Sequence, residues 1–419
     1  MRKSRDNISE RRRNRKTIFF LTGGTGFIGS HLAVELLKNG YKVLLLARTR
    51  NGMGAGQRVD RLLDWFALAP RHRKSLDVVD GDLGAPNFGL GENDFGRLLR
   101  DVDEIIHCAS DTSFSERKRE AVERANIDGL QNVLNLAAGG QCSFFHYVST
   151  AYAAGKRDGI CKEELVENDT FTNVYEETKC RAEKMVAEQC RREGIRFSVY
   201  RPSIVYGNSK TGRSTRFNAV YYPIRTILFL RNLYEVDIRE RGGSKAREMG
   251  VKLSGDGSLY LPIRVEVSEN GGLNLVPINY FVDAFMAVMK ECTDGGVFHI
   301  VNQKPKRIDD LIGYTTSLFN IDGMEPCRAW AFVDKPKNAL ETLFDTYLEV
   351  YGPYMKDARI FADHKAQAIL SRNNVVCPDF DYEVFSRCMK YAIECKWGTE
   401  LFEDKGRGNS SSKNKRRPL

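Results

Sequence analysis

Tyr175 and Lys179 stand four residues apart in a stretch whose pattern predicts a helix over 175–193. That spacing places both on one helix face, about 5–6 Å apart at Cβ. A phenol with its ordinary pKa of about 10 is a poor acid–base group at neutral pH. An ammonium beside it stabilises the phenolate and brings that pKa down. The pair can then hand a proton to a carbonyl oxygen as hydride reaches the carbon. A hydroxyl that polarises the same oxygen is expected from the end of the preceding strand. Thr150, 25 residues before Tyr175, is the first choice and Ser149 the second. Strand-end capping is the competing role for both, and an exposed helix pair is the competing role for Tyr175 and Lys179.

The pair gains meaning from what precedes it. Thr22-Gly-Gly-Thr-Gly-Phe-Ile-Gly29 follows an apolar run that reads as a buried strand (17–22) and opens a helical pattern. Gly23 permits a tight turn, Gly26 lets a pyrophosphate approach the backbone, and Gly29 lets helix and strand pack closely. The helix N-terminus offers unpaired N–H groups and a partial positive charge to an anion. Dinucleotide binding is the expectation; a Gly-rich structural turn is the alternative. The second strand ends in Ala47-Arg48-Thr49-Arg50, with two guanidiniums where a carboxylate would read the ribose 2′-OH. That favours a 2′-phosphate, hence NADP(H). Asp82, after the third strand, suits either the adenine amino group or a turn.

These groups need a scaffold. Further strands are expected at 42–47, 76–83, 103–110, 144–150 and 196–202, separated by helical segments such as 116–137. Continuous apolar strands alternating with helices argue for an α/β, Rossmann-type doubly wound parallel sheet with a smaller, mainly helical C-terminal substrate domain. The expected organisation is a basic disordered tail over 1–16 and an NADP-binding domain over 17–210, to which 276–303 returns. A substrate or accessory region fills 211–275 and 304–404, and a second basic disordered tail covers 405–419. Few strands are expected in 208–275, and 305–403 reads as mostly helical and aromatic-rich. Residues 221–230 (YYPIRTILFL) suit a core helix, the wall of an acyl tunnel or a segment resting on a membrane.

The net charge of +9 resides in the tails, which carry about +6 each and leave a body near −3. Basic ends on a near-neutral body do not describe a nucleic-acid-binding fold; solvated tails, or weak adhesion of the tails to anionic lipid or nucleic acid, with peripheral membrane contact as one form of it, are the readings left. Ten scattered cysteines form no CxxC pair and support neither a zinc site nor a disulfide scaffold. No apolar run reaches the ~18 residues of a spanning helix, and the N-terminus lacks a secretory pattern. A cytoplasmic protein with reduced thiols is the expectation. The residues set no oligomeric state.

GGTGFIG, Arg48, GDL (81–83), HCAS (107–110), YVSTAY (147–152), the YxxxK pair and RPSIVYG (201–207) together resemble the extended short-chain dehydrogenase/reductases. The resemblance covers about 17–303. RPSIVYGNSKTG and LVPINYFVDA are further similar to the thioester-reductase and fatty acyl reductase branch, the male-sterility type. The resemblance implies that Gly23, Thr25, Gly26, Phe27, Ile28 and Gly29 hold the pyrophosphate, and Arg48 and Arg50 the 2′-phosphate. It places Asp82 and Leu83 at adenine, Ser110 and Asn126 near the cofactor, and Pro202 and Ser203 at nicotinamide. Thr150, Tyr175 and Lys179 become the catalytic triad, with Lys179 also on the nicotinamide ribose.

The implied reaction is NADPH-dependent reduction of an acyl thioester, on CoA or a carrier protein supplied in trans, to aldehyde or alcohol. No catalytic cysteine is required, so Cys180 is read as packing. A long apolar channel reaching Tyr175 would favour acyl substrates. The competing readings are a carbonyl or hydroxysteroid-type dehydrogenase or sugar-nucleotide epimerase of the same family, and a catalytically silent NADPH-binding regulator. The intact Tyr175/Lys179 pair argues against the last.

Overall fold

The computed structural model describes residues 16–157, 159–167, 170–268, 271–399 and 401. Both basic tails, apart from Lys16, lie outside them. Strands β1 (Ile18–Thr22), β2 (Lys42–Ala47), β3 (Leu76–Asp80), β4 (Glu104–His107), β5 (Phe144–Val148) and β6 (Arg196–Pro202) alternate with helices. Among these are α1 (Phe27–Lys38), α2 (Ala55–Trp65), α3 (Gly129–Gly139) and α4 (Val174–Glu193). Then come α5 (Tyr221–Glu240), β7 (Leu259–Glu266), α6 (Ile278–Glu291), β8 (Gly296–Ile300), α7 (Ile308–Phe319) and β9 (Ile321–Cys327). Helices α8 (Ala339–Leu348), α9 (His364–Arg372) and α10 (Tyr382–Glu394) follow.

A seven-stranded sheet runs in the order β8-β6-β5-β4-β1-β2-β3, all pairs parallel. It is the doubly wound Rossmann-like sheet that the alternating pattern implies. Every residue of β1 and β5 is buried, because helices cover both faces. Successive side chains point to opposite faces. Phe19 and Leu21 pack with α1 and α6 residues such as Leu32, Leu36, Phe281 and Phe285. Ile18 and Phe20 pack with Leu130 and Val133 of α3 and Val186 of α4. The strand order reverses between β1 and β4. Helices leave those two strands in opposite directions, which opens a crevice at their carboxyl ends.

A second core gathers Ile224, Ile227 and Leu230 of α5 with Leu261 and Ile263 of β7, Leu311 of α7, Leu340 and Phe344 of α8, and Phe385 of α10. Residues 305–403 are mostly helical, as expected, but the region also contributes β9, and β7 lies in the stretch where few strands are expected. β7 alternates buried and less buried residues and pairs in parallel with β9, with a register shift between Tyr260 and Ile263. Both strands contain proline, Pro262 and Pro326, which removes a ladder donor and weakens the strand pattern; the shift falls beside Pro262. Helix α9 also departs from the expected division, since Ala366, Ile369 and Leu370 pack in the first core. Residues 221–230 open α5, whose apolar face lies inside the second core. Phe229 and Leu233 are exposed. Among the described residues no helix is long and apolar enough to cross one.

Candidate active site

The crevice floor is the glycine turn. Gly23 has φ +72°, and a Cβ on it would lie 2.5 Å from Ala109 N. A side chain is therefore excluded by both conformation and space. A Cβ on Gly29 would lie 2.3 Å from Gly23 O, so α1 packs against the turn at glycine distance. Gly26 is the N-cap of α1 and makes no side-chain cap. The first N–H groups of α1, those of Phe27 and Ile28 included, precede the first i−4 bond from Ser30 to Gly26 O, so they are free for an anion. Thr22 Oγ1 lies 2.9 Å from His107 Nδ1, tying the β1 end to the β4 end. This cradle fits a dinucleotide pyrophosphate.

Beyond the turn lies a group of cations. Arg48 and Arg50 follow β2 and are exposed. Arg58, in α2, donates to Arg48 O (2.5 Å) and to Thr25 Oγ1 (3.3 Å). It bridges the glycine turn and the β2 end. Its pKa falls below the usual guanidinium value through burial first, then through the charges of Arg50, Arg48 and Arg216. Arg58, reaching Thr25 and flanked by these charges, makes a ready site for a phosphate. Arg58 was not among the residues singled out from the sequence; its place in the first turn of the helix after Arg48 and Arg50 was its only signal. Asp80 accepts hydrogen bonds from Thr49. Asp82 Oδ1 accepts from Gly84 N at 3.0 Å and Oδ2 lies 3.8 Å from Arg48, so in the free protein Asp82 shapes a turn. Leu83 O accepts from Asn132.

Ser110 and Asn126 meet at the β4 end. Ser110 Oγ donates to Asn126 Oδ1 (3.0 Å), which also accepts from Asp111 N. Asn126 Nδ2 donates to Asp111 O and to Thr178 Oγ1. Asn126 thus pins the loop after β4 to α4. It sits in a π-helical turn, Arg124–Asp128, that interrupts the single helix expected over 116–137.

Helix α4 carries Tyr175 and Lys179 one turn apart. Asn173 caps it, its side chain accepting from Glu176 N at 3.1 Å. Lys179 is buried, donates to Val148 O at 2.7 Å and lies 4.4 Å from the centre of the Tyr147 ring. Burial lowers its pKa to about 8. Burial raises the Tyr175 phenol pKa above its ordinary value, outweighing the lowering effect of the nearby Thr150 hydroxyl. This corrects the expectation that Lys179 brings the phenol down. In the free protein the ammonium serves Val148 O, and desolvation dominates. Thr150 Oγ1 accepts from Tyr152 N and donates to Pro202 O, so it caps the strand end. Ser149 is committed elsewhere, donating to Glu183 Oε1 at 2.5 Å. Glu183 in turn holds the buried Arg201.

Pro202 ends β6, its carbonyl accepting from Thr150 Oγ1, and Ser203 follows it. The Ser203 hydroxyl is buried and has no hydrogen-bond partner among the described residues, an orphan that a bound ligand would satisfy. Cys108 is half-buried, with desolvation pushing its thiol up to about 12, and Cys180 lies against Val166 O; neither is an activated nucleophile. No metal-binding cluster occurs among the described residues.

The surroundings of Tyr175 hold residues that the sequence reading missed. The Phe114 ring lies 6.0 Å from Tyr175, 5.3 Å from Tyr354 and 6.0 Å from Tyr351. Tyr351 stacks on Tyr222 at 5.1 Å. An aromatic wall therefore runs from the phenol into the second core. An open cleft of about 890 Å³ is lined instead by groups such as Glu35, Asp283, Lys290 and Arg387. It is not the apolar channel to Tyr175 that an acyl chain calls for.

The family model described as male sterility protein matches residues 21–243. The chain is 24% identical over 388 residues to a linear gramicidin synthase of Brevibacillus parabrevis, covering 88% of this chain and 7% of that protein. It is 25% identical over 222 residues to the fatty acyl-CoA reductase wat of Drosophila melanogaster, covering 44% of this chain and 42% of that one. The chain thus spans under half the length of these relatives. The crystal structure of the terminal R domain from the myxalamid PKS-NRPS pathway superposes with a TM-score of 0.71 at 21% identity, covering 92% of both chains.

Proposed function

Because this chain belongs to the male sterility protein family and is an oxidoreductase of the extended short-chain dehydrogenase/reductase type, we propose that it reduces an acyl thioester with NADPH. Its family and its acyl-reductase relatives support the substrate class. The observation that carries the reading is the placement of Tyr175 and Lys179 one turn apart on α4, with Lys179 bonded to Val148 O at the β5 end that Thr150 follows. Glycines 23, 26 and 29 and the α1 N-terminus would hold the pyrophosphate, and Arg48, Arg50 and Arg58 the 2′-phosphate. Asp82 and Leu83 would border adenine. The orphan Ser203 hydroxyl and Pro202 would border the nicotinamide. When bound, the cofactor supplies hydride.

The residues of this chain then manage one oxygen and one proton. Thr150 and Tyr175 would donate hydrogen bonds to the thioester carbonyl oxygen as negative charge grows there. The Tyr175 phenol, which burial holds protonated in the free protein, would give its proton to that oxygen. Lys179, charged below about pH 8, would hold the cofactor ribose and stabilise the phenolate left behind. The resulting hemithioacetal breaks its C–S bond, its hydroxyl proton leaves with the thiolate as free thiol, and an aldehyde remains. A second round at the aldehyde would give the alcohol. A carrier protein or CoA would bring the acyl group.

The test uses the whole chain with NADPH and three probes: octanoyl-CoA, octanal and octan-2-one. Thiol release matched to NADPH oxidation with octanoyl-CoA is expected. Turnover of octan-2-one alone would replace this reading with the carbonyl-dehydrogenase one.

A further inference from the structure

The N-terminus of α4 is capped from two directions. Asn173 accepts from Glu176 N, and Glu176 Oε2 accepts from Thr172 N at 3.0 Å. This local exchange resembles a capping box, in which two side chains satisfy the orphan donors of a first turn. It leaves two polar groups over: the second Glu176 oxygen and the Asn173 amide N–H. Both are taken by one residue far away in the chain. Tyr354 Oη donates to Glu176 Oε1 and accepts from Asn173 Nδ2, each at 2.7 Å. Glu176 is fully buried, so without Tyr354 its second oxygen would keep only Arg359, at 4.0 Å. A phenolic hydroxyl is both donor and acceptor and can close both bonds at once.

The Tyr354 ring has its own role. It stacks on Phe114, which lies against Tyr175. On another side it meets Tyr152 edge-on at 5.1 Å, and Tyr152 N is bonded to Thr150. Arg359, five residues on, donates to Gly155 O and lies 4.9 Å from the Tyr152 ring centre. One segment of the C-terminal region thus touches the neighbours of both Thr150 and Tyr175.

We propose that Tyr354 is a positioning residue for Tyr175: its hydroxyl completes the cap of the helical turn that carries the phenol, and its ring closes the wall beside it. This rests on the reading of Tyr175 as proton donor. Tyr175 is the second residue of α4, in the part of a helix that frays first when its cap is lost. A displaced donor lowers the rate of the chemical step far more than it changes ground-state binding.

The test is Tyr354→Phe, which keeps the ring and deletes the hydroxyl, with Asn173→Ser as a second variant that keeps a capping oxygen but loses the amide donor. In Tyr354→Phe, amide hydrogen exchange over 174–178 is expected to speed up at least tenfold. With octanoyl-CoA, kcat falls about tenfold, while the NADPH Kd and the octanoyl-CoA KM stay within threefold. Asn173→Ser should move exchange and kcat the same way by smaller factors. Unchanged exchange overturns the cap, and faster exchange with wild-type kcat overturns the positioning role. A wild-type protein inert toward octanoyl-CoA, octanal and octan-2-one overturns the reading of Tyr175 and the positioning role with it; exchange decides the cap on its own.

Discussion

The two cores differ in how far apart their working residues lie. Around the seven-stranded sheet, each functional group comes from a strand end or the helix that follows it. Gly23 to Gly29 form one turn, and Tyr175 and Lys179 share one helix face. Around the second core, contacts join distant parts of the chain: β7 pairs with β9, and Tyr354 reaches Asn173 across 181 positions. The difference separates two tasks. Local geometry fixes the cofactor cradle and the proton donor, while long-range packing decides what meets them.

If this division holds, changes in the first region should remove chemistry or cofactor, and changes in the second should alter turnover with cofactor binding intact. The largest effect is expected from Tyr175→Phe. Turnover should fall by about a thousandfold or more, within the range set by general acid and electrostatic contributions together, while NADPH fluorescence titration stays close to wild type. Retained turnover would remove the phenol from the mechanism.

Next is Arg58→Ala. Losing a charged partner of a phosphate is worth about 1.5–3 kcal/mol, so the NADPH Kd should rise by about ten- to a hundredfold and the NADH Kd by little. Equal weakening of both would show that Arg58 supports the fold and does not read the 2′-phosphate.

The pH dependence has a definite sign. Burial lowers the Lys179 pKa to about 8 from its ordinary 10.5, so the group loses its charge as pH rises through 8. The kcat/KM, which reports the free enzyme, should decline above pH 8 and be flat below it on the alkaline side. Lys179→Met should abolish that limb along with most of the rate. Stability moves oppositely: between about pH 8 and 10.5 the unfolded chain binds more protons at this site, so this group makes folding more favourable as pH rises. A thermal-unfolding series in that window checks it.

The smallest effect is expected at Ser203. Its hydroxyl lacks a partner among the described residues, so Ser203→Ala should leave the melting temperature unchanged or slightly raised and weaken NADPH only a few-fold. A large loss of stability would mean the hydroxyl already serves the fold.

Which parts were legible follows from the same contrast. The glycine turn, the parallel strands and the YxxxK pair are visible because steric need and helix period write them into neighbouring residues. The sequence ranked Thr150 above Ser149 by position alone; the structure adds that Glu183 claims Ser149. Arg58 hid because a helical arginine looks like any solvated charge until its reach to Thr25 is known. β7 and β9 were masked by Pro262 and Pro326, which weaken the strand pattern; the missing donor of Pro262 falls where the register shifts. Phe114 and Tyr354 had no local signal, since their partners lie on other elements. The lowered phenol pKa expected from Lys179 failed because burial of the phenol outweighs its neighbours.

The most direct test is a crystal structure of the chain with NADP⁺. The account expects the nicotinamide between Ser203 and Tyr175, with the phenolic oxygen facing the nicotinamide C4 side and the 2′-phosphate within hydrogen-bond reach of Arg58. A dinucleotide bound away from the Gly23–Gly29 turn, or a nicotinamide remote from Tyr175, would contradict it.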